Sequence, residues 1–462
     1  SGDNTFPIPV HADSAAAAAL NHSHSPPNCS NGGGVGDSAT PFPDLQLASE
    51  CEPELRPVSP SSMEEHCDRE IPAKRPKLSD GGDGCSEDRL SALPEDLLIH
   101  ILVKLGDVAV AARTSVLSSR WRRLWRLLPV LHFPFHSDPQ RVQLALESHE
   151  APALYRLKVS VLDGTPDFVT PWLRVAPRRL SGRLSLINRV TRNGSEDMAG
   201  ERGSFELPCF ENATKICLDL GPLGVSMPPS GVFAKLTHLR LIRVHLHGTC
   251  RLGEAVSTPR CPYLRILTVN AAWGVGNFAI HSESLKQLKL INLYGLQQLT
   301  VTAPALILLK VNSCFVSSSS INQPVADISA PRLESLDWWD VYDPRFTKFG
   351  NVEDLKWLRT YPFLVYGQHA DNSDCEGLLR CFQLIWSLRV MLVYLPEIAN
   401  KQYLMENITR LPNITHMALT VKPEGHSFGA SVFHVLKMCT SVRKLLLALD
   451  TTSHPKVALS LP

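Results

Sequence analysis

Gly425-His426-Ser427-Phe428-Gly429 has the G-x-S-x-G spacing of a nucleophile elbow, the sharp turn that lifts a serine hydroxyl above a hydrolase sheet. An apolar, strand-like Met417–Val421 precedes it and a helix-like Ala430–Met438 follows. Acyl transfer needs more than the serine, however. An acid and then a histidine must follow on separate strands. Asp450 and His454 are present but stand too close together in sequence to belong to two strands. Lys422-Pro423-Glu424 also intrudes where the chain should turn straight off the strand. Chance glycines in a loop account for the match, and the chain is expected not to be an enzyme.

Other chemistry-bearing residues point the same way. The glycines of 32–36 have no strand before them and no helix after, so they do not read as a phosphate cradle. His11, His22 and His24 could catch a metal but sit in a polar tail. The 12 cysteines include no C-x-x-C pair, and the spacing of Cys209, Cys217, Cys250 and Cys261 matches no zinc module. They read as reduced, mostly buried thiols. No P-loop, H-E-x-x-H or dinucleotide fingerprint occurs. No metal site and no cofactor is expected.

Composition sets the boundaries. Residues 1–86 hold eleven prolines, eight glycines, two phenylalanines and no Trp or Tyr. Such a segment cannot bury enough apolar surface to offset its ordering entropy, so a disordered low-complexity tail is expected over 1–86. Within it, Lys74, Arg75 and Lys77 form a short cationic cluster like a nuclear-import signal, which suits a nuclear or cytoplasmic protein. The tail carries 5 Lys+Arg against 13 Asp+Glu, a net of −8. The whole chain is +1, so the remainder is about +9, mild for its length. That balance does not call for a nucleic-acid partner and permits an acidic protein. No apolar run approaches a membrane span, and no secretory core is visible. The first residue is Ser1, so an upstream segment is expected to be missing.

Three short helices follow from the composition of 88–133. Pro94 suits a first helical position, and Glu95 and Asp96 favour the positive end of the dipole. Leu97, Leu98, Ile101, Leu102 and Leu105 recur on one helical face until Gly106 ends it. Asp107 can cap a second helix through Ala111, Ala112 and Val116. Ser118 or Ser119 can cap a third, with Trp121, Leu124, Trp125 and Leu128 at helical spacing until Pro129. Two tryptophans and two rows of leucine exceed what so small a bundle can hide, which suggests an apolar face for a partner.

These residues resemble the plant form of the F-box. The resemblance is carried by Asp88-Arg89-Leu90-Ser91, Leu93-Pro94, Asp96-Leu97-Leu98, Ile101-Leu102, the run Ala111–Ser118, Arg120-Trp121-Arg122 and Leu124-Trp125. It departs at Leu105-Gly106, where the family usually has Leu-Pro, and at Ser119, where a basic residue is usual. The resemblance implies docking to the Skp-type adaptor of a cullin–RING ubiquitin ligase. By the match, Leu93, Pro94, Leu97, Ile101, Leu102, Leu105, Val116, Leu117 and Trp121 would form that interface. Arg120, Arg122, Arg123 and Arg126 read as a solvated basic face rather than a nucleic-acid site.

The rest of the chain repeats. The frame L-x-x-L-x-L, with other aliphatics or Trp allowed, starts at Leu236, Leu264, Leu285, Leu306 and Leu333. The spacings of 28, 21, 21 and 27 residues fit leucine-rich repeats. Weaker copies start at Leu154, Ala213, Ile414 and Val442, while 345–400 shows no clear frame. Phe278/Ile280, Leu299/Val301 and Ala326/Ile328 fall between frames, so each coil is expected to give two short strands and little helix. This resembles the irregular leucine-rich repeats that follow F-boxes in plants. Leu411–Leu449 resembles the C-terminal region of grass F-box proteins, which implies that the end of the array is lost or altered here.

The expected architecture is therefore α+β: a disordered tail over 1–86, a three-helix F-box over 88–133 and an irregular leucine-rich-repeat solenoid of short parallel strands over 150–462. In the frame the leucines point inward and the residues between them line the inner, concave face. His238, Arg240, Thr268, Lys289, Lys310, Asp337 and Trp339 are the candidate target-binding residues, with Arg240 and Trp339 as anchors. The resulting expectation is the substrate-recognition subunit of an SCF ligase, holding a target protein without cofactor, nucleic acid or membrane. The alternative is a repeat scaffold that does not lead to ubiquitin transfer.

Overall fold

Leu285-x-x-Leu288-x-Leu290 shows how the repeat becomes a fold. On the strand Gln287–Tyr294, Leu288 and Leu290 are fully buried and alternate with the half-buried Gln287, Lys289 and Ile291. The two-residue period of a strand separates the sides in this way. Leu285, at the turn into the strand, is also fully buried. Each buried leucine is worth roughly 1.5–3 kcal/mol relative to leaving it in water. One coil has no core of its own to put it in, so the coils must stack.

The computed structural model describes residues 92–190, 202–248, 251–315, 323–350, 352, 354–367, 372–382 and 384–450. The chain divides into two units, residues 32–98 and the remainder. Of the first, 92–98 are described. Pro94 and Leu97 are exposed there, Leu93 is half-buried and Leu98 is buried.

In the larger unit the frames stack into one long parallel sheet. Its path among the described residues runs through thirteen strands, from Val130–Phe133 through Leu154–Leu162, Leu180–Arg189, Lys215–Asp219, His238–His247, Ile266–Trp273, Gln287–Tyr294, Leu308–Asn312, Ser335–Trp339, Trp357–Thr360, Leu384–Val393 and Asn413–Lys422 to Lys444–Leu449. The frames at Leu154, Ala213, Ile414 and Val442 all belong to it. So do two copies without a legible frame, at Leu355-x-x-Leu358-x-Thr360 and Ile385-x-x-Leu388-x-Val390. The first strand, Val130–Phe133, starts directly after Pro129, where the third helix was expected to stop, and pairs with Leu154–Leu162. On the last, Leu445 and Leu447 occupy core slots of the frame but are 44% and 46% exposed.

A second parallel sheet joins Asn277–His281, Gln298–Thr302, Val325–Ser329 and Thr347–Phe349. It contains the strands expected between frames, with Phe278, Ile280, Leu299, Val301 and Ile328 fully buried. The expectation of little helix holds only for these middle coils. Towards either end, helices take the second strand's place: Pro166–Arg179, Ser373–Arg380 and Gly429–Lys437.

The sheet turns its corner by a recurring backbone device. Arg243, Ala271, Asn292 and Ser313 have φ of 48°, 52°, 51° and 51°, the left-handed region. Arg243, Ala271 and Asn292 fall at the matching break between register pairs on three successive strands, and Ser313 directly follows the end of the next, Leu308–Asn312. Non-glycine residues rarely enter this region, so a column of four marks a fixed bend. Below it, the buried Asp340 carboxylate accepts backbone N–H bonds from Cys314 and Phe315. Asn188 serves the same purpose in an earlier coil, accepting from Gly164 N and donating to Leu220 O at 2.9 and 2.8 Å. Burial pushes the Asp340 carboxyl up to about 7, against the opposing pull of its backbone donors.

Candidate functional site

Two surfaces stand out. The first is helical. The helix Glu95–Lys104 carries its acidic residues in the first turn and ends at Gly106, whose φ of 71° suits glycine. Asp107 caps the next helix, Val108–Arg113, accepting from Ala109 N at 2.8 Å. A 3-10 turn, Thr114–Val116, follows directly. The third helix, Trp121–Leu124, has Arg120 at its N-cap and no side-chain cap, so neither Ser118 nor Ser119 does that work. It passes into a 3-10 turn over Trp125–Leu127.

The nine residues implied by the resemblance divide by burial. Leu102 and Trp121 are 2% and 5% exposed, which makes them core residues rather than an offered face. Ile101 and Leu105 are 39% and 42% exposed, and Val116 and Leu117 reach 87% and 61%. Val110, not singled out in the sequence, is also exposed. Leu97 and Pro94 are exposed in the other unit, with Leu93 half-buried. Isolated apolar residues on a surface mean little, but five within seventeen residues of one short helical segment are unusual for a surface left in water. Of the arginines, Arg122 and Arg123 are exposed and Arg120 and Arg126 half-buried, and Arg123 and Arg126 reach Glu150 at 2.9 and 3.1 Å. Lys74, Arg75 and Lys77 lie outside the described residues.

The second surface is the outward face of the long sheet. Arg240, Thr268, Lys289, Lys310 and Asp337 stand opposite one another on five successive strands, a single row across the sheet. His238 belongs to the next row on the same face, with Ile266, Gln287, Leu308 and Ser335, and its ring meets Thr237 Oγ1 at 2.8 Å. Trp339 is one row further on than the frame implied. It pairs with Asn312, while Ser335 and Asp337 hold the slots equivalent to Leu308 and Lys310. The row also continues where the sequence showed no frame, through Arg359 and Arg389. Thr360 in a core slot disguised the first of these copies. Reading Leu358 and Leu388 as inward residues would have found both.

Charge on the row is uneven. Asp337 accepts from Lys310 at 3.1 Å and sits 3.9 Å from Arg359, whose guanidinium lies 4.2 Å over the Trp339 ring. Lys289 has no such acid. Its pKa is lowered, first by burial and then by the neighbouring Lys310 and Arg240 cations, with the more distant Asp337 charge pulling the other way. The Nε of Arg240 and the Oε1 of Gln287 are buried without a hydrogen-bond partner among the described residues.

The elbow-like Gly425–Gly429 is a turn between the strand Asn413–Lys422 and the helix Gly429–Lys437. Its His426 ring is engaged with the Leu395 and Pro396 carbonyls at 3.1 and 3.2 Å. Ser427 is exposed, and His454 lies outside the described residues. Among the described residues no cluster of three or more His, Cys, Asp or Glu could hold a metal, and no helix is long and apolar enough to cross a membrane.

A helical segment followed by stacked parallel coils defines a repeat protein, and sequence comparison gives the type. A model of the F-box domain matches residues 90–133. A model described as FBD-associated F-box protein At5g56370, LRR repeats, matches residues 172–352. The chain is similar to the F-box/FBD/LRR-repeat protein At4g03220 of Arabidopsis thaliana, 30% identical over 63% of this chain and 59% of the relative. It is similar also to At3g49030 of the same plant, 28% identical over 55% of this chain and 64% of the relative. The chain thus spans about 59% and 64% of the lengths of these two relatives. These matches bear out the resemblance to plant F-box proteins with leucine-rich repeats.

Proposed function

We propose that this chain is the substrate-recognition subunit of an SCF-type cullin–RING ubiquitin ligase. Its F-box docks a Skp-type adaptor, and the outward face of its long sheet holds a target protein. The observation that carries this reading is the exposure of Ile101, Leu105, Val116 and Leu117 within the segment matched by the F-box. A helical segment that buries Leu102 and Trp121 yet leaves these four in water is organised around a missing partner. The contribution to catalysis is proximity, raising the effective concentration of the target beside a ubiquitin donor. The cation cluster Lys74, Arg75 and Lys77 supports a nuclear or nuclear-and-cytoplasmic location, testable by whether a fluorescent fusion leaves the nucleus when all three become Ala.

Coexpression with a Skp-type adaptor and a cullin tests the assembly. Recovery of all three on one tag, lost when Leu93 and Pro94 become Ala, supports the reading. A chain that never retains the adaptor refutes it.

A further inference from the structure

The row that crosses the long sheet identifies what kind of target segment it suits, resting on the reading of that face as the target-binding surface. The row runs Arg240, Thr268, Lys289, Lys310, Asp337, Arg359, Arg389 over seven successive strands. Strands lie about 4.8 Å apart, so the row is roughly 29 Å long. An extended peptide of about nine residues covers that length at about 3.3 Å per residue.

Five of the seven residues are cations, and the one acid, Asp337, is already held by Lys310 at 3.1 Å. The cationic charge left over is concentrated at the other end. Lys289 makes no ion pair or hydrogen bond among the described residues, and the Nε of Arg240 is buried without a hydrogen-bond partner. They flank Thr268 in the same row. Half-buried cations on either side of one residue repel one another, and an anion seated between them relieves that repulsion.

We propose that this row receives an extended acidic segment of a target protein, with a Glu or Asp side chain seated over Thr268 between Arg240 and Lys289. The Thr268 hydroxyl can donate to the same carboxylate. A peptide fits better than a nucleic acid because the row is interrupted. Asp337 would oppose a backbone carrying a charge at every unit, whereas a peptide can set a neutral residue against it.

The test is fluorescence anisotropy of the full chain, without adaptor, against a labelled peptide of about twelve residues alternating Glu and Ser. The same peptide with Gln for Glu, and a uridine RNA of equal length, are the comparisons. The Glu peptide should bind, weaken as salt rises and lose about tenfold in affinity with Lys289→Gln. Lys289→Gln removes a half-buried, unpaired charge, so its thermal unfolding should not fall below that of the unsubstituted chain. Equal binding of the Glu and Gln peptides, tighter binding of the RNA, no binding of the Glu peptide, or indifference to Lys289→Gln overturns the proposal. Adaptor capture is scored separately, so a chain that holds the adaptor but ignores the Glu peptide defeats only this inference.

Discussion

Lys310 and Asp337 face each other on adjacent strands at 3.1 Å, and the pair takes one cation of the row out of play. The consequence is testable. Asp337→Asn frees Lys310 and relieves Arg359 of its neighbour at 3.9 Å. Both side chains of the Lys310–Asp337 pair are largely buried, 25% and 18% exposed, so the loss should cost about 1 kcal/mol, read as a lower Tm. Affinity for the Glu/Ser peptide should rise several-fold in the same variant. The two readouts move in opposite directions, which a purely structural role for Asp337 would not give.

Lys289 should show the converse. Burial and the Lys310 and Arg240 charges lower its pKa, so the folded state releases its proton at a lower pH than the unfolded chain does. For a depressed lysine, stability is gained as pH rises through the folded value, and the charged form is the destabilising one. Lys289→Met is therefore expected to raise Tm at neutral pH while weakening capture of an acidic peptide about tenfold, as Lys289→Gln does. Thermal unfolding beside anisotropy checks both halves.

The frame was legible in the sequence because leucine spacing reports the side chains that stacking buries. Leu236, Leu264, Leu285, Leu306 and Leu333 are all core residues with 0–1% exposure. Three things were not legible. Helices replace the second strand near the ends of the sheet because only Phe278/Ile280 and its two successors gave an alternating pattern between frames. The row position of Trp339 was misjudged by counting past the frame: Leu336 and the fully buried Trp338 are its inward residues, so Ser335 and Asp337 hold the outward slots and Trp339 follows them. Leu102 and Trp121 were assigned to an interface because helical periodicity shows that a face is apolar, not whether protein or partner covers it.

Asp340 gives a pH prediction. Its folded carboxyl is raised to about 7 against an ordinary 3.8, so its contribution is fully present below about 3.8 and is lost as pH rises through about 7. Tm should fall between mildly acidic and mildly alkaline buffer, and Asp340→Asn should flatten that fall. The substitution also sets an amide against the Cys314 and Phe315 N–H donors, so the variant is expected to be less stable at acidic pH. Equal pH slopes for the two proteins would remove Asp340 from the account.

The helical residues separate by stability. Leu102→Ala empties a core position and should cost about 2–5 kcal/mol. Leu117→Ala, at a residue 61% exposed, should stay within about 0.5 kcal/mol of the unsubstituted chain in denaturant unfolding.

The central claim is that the exposed apolar residues of the helical segment are a docking face. Calorimetric titration of the purified chain with a Skp-type adaptor tests it most directly, comparing the unsubstituted protein with Val116→Asp/Leu117→Asp. The account predicts saturable binding by the former and none by the latter, with both unfolding at the same temperature. Adaptor binding that survives the double substitution, or an unsubstituted chain that does not bind, would contradict it.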